Sequence, residues 1–254
     1  MITTPRLAWF GLALLTAAPA FAAEKILVYT RNYTPDGKGY VHENIAASVN
    51  AIRKMGAENG FDVDVSDQPS VFTRENLKQY RALVFSNSNN EAFENDAQRD
   101  AFKAYIQGGG GFVGIHSATG SERAWPYFWE VVGGKFKRHP KLQRFTVRVT
   151  DPRFPATRQL PATFEWEDEC YYHDHLSPDI KPVLVTDPKT LEDPDFAKDP
   201  GGLVDGLRPL AWYHTFDGGR EFYMALGHKP ADYANPLLCS QIVGGIQWAM
   251  GVAR

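Results

Sequence analysis

Apolar and polar residues fall into alternating blocks along most of this chain. Residues 25–30 form a compact apolar run, as do residues 82–85 and 112–115. Runs of this length, bounded by turn residues, read as strands buried on both faces of a parallel sheet. Residues 61–65 alternate, which suits a strand with one face covered. Between these runs the period changes to that of a helix. Ile45, Val49, Ile52 and Met55 fall on one face after His42-Glu43-Asn44, and Asn59-Gly60 closes the segment. Residues 96–107 place Phe102, Tyr105 and Ile106 on an apolar stripe, and residues 74–80 suit a short helix. Glycines 108 to 111 then stop the helix, because glycine enters left-handed backbone without steric cost.

Strand, helix, strand, strand, helix, strand at this spacing predicts a doubly wound, mostly parallel α/β sheet of flavodoxin-like type, with helices on both faces. The strands end in polar stretches at residues 30–32, 86–90 and 116–117. Ligands collect outside the carboxyl ends of such strands, so these stretches open on one functional edge. His116 stands where its strand ends, and Asn87 sits in the neighbouring polar stretch.

The second half reads differently. Residues 125–132 look helical and Gly133-Gly134 breaks them. Residues 135–140 read as a basic turn. Residues 143–150, 182–186, 208–214 and 220–226 read as strands, with a hairpin at Gly218-Gly219. Gly227-His228 ends the last of these much as His116 ends the earlier one. Pro236 opens a closing helix to residue 249. The expectation is a β-rich C-terminal half that extends or flanks the parallel sheet.

The N-terminus changes the picture of location. Arg6, an apolar run over residues 7–18, and Ala20-Phe21-Ala22 have the form of a secretory signal peptide. The run is too short to span a bilayer. The expected organisation is a leader at 1–23 and one domain at 24–254. The expected location is outside the cytoplasm, in the periplasm of a two-membrane bacterium, with no membrane attachment after cleavage. A net charge of -3 gives no electrostatic reason to expect nucleic acid. Two cysteines, Cys170 and Cys239, do not make a disulfide framework.

Chemistry centres on the seven histidines. His42, His116, His214 and His228 fall where strands or their loops should open. Imidazole is the commonest metal ligand and titrates nearest neutral pH. Two or three histidines with a carboxylate such as Glu169 would suit zinc or manganese with an open position. Alternatively, His116 and His228 act as acid and base. His173-Asp-His175 offers a second pair if that segment is extended, or a solvated loop. No HExxH, G-x-S-x-G or P-loop occurs, and the glycine run precedes its strand, where a dinucleotide fingerprint would follow one. No nucleotide cofactor is therefore expected.

Four stretches carry a family resemblance: Gly109-Gly-Gly-Phe-Val-Gly-Ile-His116, Gly133-Gly-Lys-Phe-Lys-Arg-His-Pro140, Asp168-Glu-Cys-Tyr171, and Trp212 to His228, which reads W-x5-G-G-R-x-F-x3-L-G-H. With His42, they make the chain resemble the ThuA-like family, named for trehalose utilisation. The resemblance implies a scaffold like class I glutamine amidotransferases. Those enzymes carry a nucleophilic cysteine at the turn that His116 occupies here, so glutamine hydrolysis is not expected. The resemblance also implies a small carbohydrate as substrate, a disaccharide or its 3-keto derivative. A histidine base could take the acidic proton beside such a ketone, with a metal or Arg220 stabilising the charge that develops. Isomerisation or elimination would follow. Glycoside hydrolysis would need a second carboxylate beside Glu169. The expected site is thus His116, His228 and Glu169 for chemistry, His42, Arg220, Trp212 and Asn87 for substrate, and His116, His228 and His42 for a metal. The other readings are a non-catalytic sugar-binding protein and an amide hydrolase that lacks its thiol.

Overall fold

The computed structural model describes residues 24–253. The leader expected at 1–23 lies outside the described residues. The first half comprises β1 (Glu24–Tyr29), β2 (Asn32–Tyr33), α1 (Ile45–Asn59), β3 (Phe61–Ser66), α2 (Arg74–Leu77), β4 (Ala82–Ser86), β5 (Asn89–Asn90), α3 (Asp96–Gln107) and β6 (Gly111–Ile115). The second half comprises α4 (Pro126–Val132), β7 (Lys135–Arg138), β8 (Gln143–Val149), β9 (Thr163–Asp168), β10 (Tyr172–Asp174), β11 (Lys181–Thr186), β12 (Arg208–Phe216), β13 (Gly219–Met224) and α5 (Pro236–Ala249).

Nine strands form one sheet in the order β3-β1-β4-β6-β13-β12-β11-β8-β9. The strands from β3 to β13 run parallel. From β13 to β9 every pairing is antiparallel. β13 is the seam, so the β-rich half extends the parallel sheet. The fold is the α/β, flavodoxin-like arrangement, with a mixed sheet.

Alternation along the strands feeds two apolar layers. Ile26, Val28, Val84, Val113, Ile115, Phe222 and Met224 pack with Ile52 of α1 and Ile242 and Ile246 of α5. Leu27, Tyr29, Leu83, Phe85 and Phe112 pack on the other face with Phe102 and Ile106 of α3 and Phe128 of α4. α3 starts where the Asn95 side chain accepts from the Gln98 amide at 3.1 Å, and Gly109 leaves it with φ +86°. The predicted basic turn at 135–140 is corrected: residues 135–138 form β7, paired antiparallel with β10. That small ribbon delivers His139 to the edge where β1, β4, β6 and β13 end. Among the described residues no helix is long and apolar enough to cross a membrane.

Candidate metal centre

His116 takes the first position after β6 and opens a 3₁₀ turn over His116–Gly120. Its φ is +51°, a left-handed conformation that costs a non-glycine residue about 1 kcal/mol. Two contacts hold it there. Its Nδ1 donates to the Ala225 carbonyl at 2.7 Å, and the Tyr223 hydroxyl donates to the His116 carbonyl at 2.7 Å. The first bond fixes the tautomer: Nδ1 carries the hydrogen, so the Nε2 lone pair points out of the sheet.

Three other side chains converge on that lone pair. His42, from the loop between β2 and α1, brings its Nε2 to 3.1 Å. His228, three residues beyond Ala225, brings its Nδ1 to 3.3 Å. Glu169, immediately after β9, brings Oε2 to 3.8 Å of His116 Nε2 and 3.3 Å of His228 Nδ1. The four donor atoms lie within 4.8 Å of one another. A tetrahedral zinc with bonds near 2.05 Å has donor-to-donor edges of about 3.3 Å. The spacings of 3.1, 3.3 and 3.3 Å match that edge and 3.8 Å approaches it, so three imidazoles and one carboxylate are gathered around one point as a divalent ion requires.

The electrostatics match. Burial, with the neighbouring imidazoles, pushes His42 and His116 down to about 3, so both are neutral and have lone pairs to offer. Burial raises Glu169, but its hydrogen bond with His228 and the imidazoles around it outweigh that and hold it at about 2. The same Glu169 contact raises His228.

A buried carboxylate sets the framework. Asp168 is fully buried, and its Oδ2 accepts from Gly227 N at 2.8 Å, Trp166 Nε1 at 3.0 Å and His228 N at 3.4 Å. Its Oδ1 accepts from Glu169 N at 2.8 Å. One side chain thus fixes the backbone of two of the four donor residues. Burial pushes it up to about 6 against these N–H donors, so it is ionised at neutral pH. Above the cluster, the Tyr171 hydroxyl lies 2.9 Å from His116 Nε2. The His139 Nε2 lies 3.5 Å from Glu169 Oε1. A cavity of about 330 Å³ opens over this floor, lined among others by Tyr40, Asn89, Ser117, Arg123 and His139.

Not every expected site residue is here. Trp212 is fully buried, with its Nε1 donating to the Val132 carbonyl, so it packs the layer beneath and offers no face to a sugar. Arg220 sits near the start of β13, at the far end of the sheet. Its Nε donates to the Trp248 carbonyl at 2.8 Å and its guanidinium covers that indole. Asn87 is fully buried too, with φ +54°. Its Nδ2 donates to Tyr233 OH, and its Oδ1 accepts from Asn44, which also donates to the Gly227 carbonyl. It braces the strand ends and is not among the residues that line the cavity. His214 is buried 2.9 Å from the Val131 carbonyl. His173 and His175 diverge: one is buried beneath the cavity against Thr119, the other exposed and stacked on Trp129. Both cysteines are free, and burial pushes the Cys170 thiol up to about 12.

Sequence reasoning passed over Tyr171, His139, Ser117 and Arg123. The signal for Tyr171 was present in the period of two that puts Glu169 and Tyr171 on one side and Cys170 and Tyr172 on the other.

A sheet of this order, with its polar residues gathered at the carboxyl edge, defines an α/β protein with the glutamine-amidotransferase-like architecture. A sequence profile described as trehalose utilisation, ThuA, matches residues 25–249, and the chain belongs to the ThuA family. Two ThuA-like proteins of known structure are similar. One, from Bacteroides uniformis, is 22% identical with a TM-score of 0.67, over 93% of this chain and 95% of that one. The other, from Parabacteroides merdae, is 18% identical with a TM-score of 0.68, over 92% of each. A GMP synthase protein from Thermoplasma acidophilum shares the fold at 13% identity and TM-score 0.52, over 90% of this chain and 95% of that one. Among curated proteins none matches the chain. Family membership gives the protein a carbohydrate-related role.

Proposed function

We propose that this is an exported enzyme of carbohydrate breakdown that enolises a keto sugar, a disaccharide oxidised at C3 or a close analogue, at a divalent metal centre. The observation that carries the reading is the convergence of His42, His116, His228 and Glu169 on one point beside the cavity that His42 and Glu169 line. A site that only bound sugar would gain nothing from three imidazoles whose lone pairs face each other. When bound, zinc or manganese supplies Lewis-acid charge where a ketone oxygen becomes negative on enolisation.

The chain's own residues handle the proton. His139 is the imidazole that lines the cavity without belonging to the donor set. Its Nδ1 donates to the Pro140 carbonyl at 2.7 Å, which leaves Nε2 free to accept. The carbon–hydrogen bond beside the ketone breaks, the proton passes to His139 Nε2, and the electron pair forms the enolate double bond. Glu169 Oε1, 3.5 Å away, stabilises the imidazolium that results. Return of the proton to the former carbonyl carbon, with the hydroxyl proton of the first carbon passing to the old ketone oxygen, isomerises the sugar. Loss of a glycosidic alkoxide one carbon further on, taking the proton with it, is elimination. The role of base thus falls to His139, because His116 is fully buried and its Nε2 faces the other donors.

The experiment is solvent exchange. A 3-keto disaccharide incubated in deuterium oxide with metal-reconstituted protein should acquire deuterium beside the ketone, seen by proton NMR. His139→Gln should lose most of that exchange while its metal content stays unchanged. Binding of the sugar with no exchange above the buffer rate would leave a carbohydrate-binding protein.

A further inference from the structure

The cavity also carries a polar set that the proton chemistry does not use. Ser117 is 3% exposed and is among the residues that line the cavity, and its buried Oγ has no hydrogen-bond partner. A buried hydroxyl without a partner costs about 1–3 kcal/mol, which a bound ligand atom would remove. Arg123 is the guanidinium lining the same cavity and is exposed. Its Nη2 donates to Asn89 Oδ1 at 3.1 Å, and its plane lies 5.6 Å from the centre of the Phe136 ring. Among the described residues no carboxylate pairs with it, while Glu169, which also lines the cavity, is taken by histidines. Gly120 makes room for the arrangement. A Cβ there would stand 2.4 Å from Asn89 Oδ1 and 3.1 Å from Arg123 Nη2.

We infer that Ser117 and Arg123, braced by Asn89, form a carboxylate subsite, so that the sugar this enzyme takes is an acidic one, carrying an aldonate or uronate group. The inference rests on the reading of the cavity as a sugar site and names its substrate class. The fork of a guanidinium matches the two oxygens of a carboxylate, with the serine hydroxyl as a third donor. A neutral sugar would leave the guanidinium without a counter-charge. A phosphate would leave acceptor oxygens without donors, because this set supplies one cation.

The test is equilibrium binding by calorimetry to metal-reconstituted protein, with glucuronate, glucose and glucose 6-phosphate as probes. Glucuronate should bind at least tenfold more tightly than the other two. Arg123→Gln should abolish that preference, Ser117→Ala should weaken glucuronate several-fold, and Arg220→Gln should change neither. Arg123→Lys should restore part of the preference, since it keeps the charge without the fork. Glucose binding as tightly as glucuronate, a preference for the phosphate, or a preference that survives Arg123→Gln would each overturn the subsite. So would failure of all three probes to bind. Deuterium exchange on a neutral keto sugar is measured separately, so loss of the subsite and loss of the enolisation reading are distinguishable.

Discussion

Replacing Asp168 by alanine tests how the site is held together. The substitution leaves the N–H groups of Gly227, Glu169 and the Trp166 indole without their acceptor, in a place closed to water. Three orphaned donors cost roughly 5 kcal/mol together at about 1–3 each. An offset runs the other way. Burial holds the Asp168 carboxyl at about 6 against a reference of 3.8, so keeping it ionised at pH 7 costs the native state. At about 1.4 kcal/mol per pKa unit, that cost is roughly 3 kcal/mol. The balance is a loss of about 2 kcal/mol, or a melting point lower by about 4–8 °C for a chain of this size. Stability is the smaller effect. The Glu169 amide and the turn at Gly227 and His228 lose their common anchor, so two of the four donors lose registration with the other two. Metal affinity should fall at least tenfold, as it does when outer hydrogen bonds of a metal site are removed. Thermal melts followed by circular dichroism and competition with a chelator measure the two effects. If Asp168→Ala melts with the wild type and holds metal equally well, the anchoring argument is wrong.

Other substitutions separate site from scaffold. Glu221 lies in β13, 1% exposed, with neither carboxylate oxygen partnered, and burial raises its pKa well above the ordinary value. A carboxyl raised in the fold contributes stability at low pH that is lost as pH rises toward its folded pKa. Glu221→Gln should therefore gain stability on the wild type from pH 5 upward, by at most about 1.4 kcal/mol per pH unit. A difference in melting point that stays flat between pH 5 and 8 would contradict this. Trp212→Phe should cost about 1–3 kcal/mol through the orphaned Val132 carbonyl, with metal content unchanged by elemental analysis. Loss of metal in that variant would place Trp212 in the site after all.

The parallel half of the fold was legible because β4 and β6 are buried along their length, β1 is buried along most of its own, and α1 and α3 each have a clear stripe. The edge of the site was legible for the same reason: strand ends 115, 224 and their followers mark it. Histidines at strand ends were a sound guide for His116 and His228 and a poor one for His214, since β12 runs antiparallel and His214 meets α4. Arg220 was misplaced within its own motif. The motif spans the whole of β13, so its arginine and its histidine stand at opposite ends of the strand. Trp212 and Asn87 show a different limit. A polar or aromatic residue near a site looks the same in sequence whether it meets a ligand or braces the residues that do. Asp168 looked like one charge in an acidic run. Its role exists only because β9 and β13, separated in the sheet by three other strands, bring their ends together at the site.

Metal content decides whether His42, His116, His228 and Glu169 hold an ion. It is measured on protein purified without chelator or affinity metal, for the wild type and for His116→Ala with His228→Ala. Close to one divalent ion per chain is expected in the wild type and almost none in the double variant, with both proteins folded by circular dichroism. A wild type that stays metal-free even after incubation with zinc or manganese would contradict a metal site there.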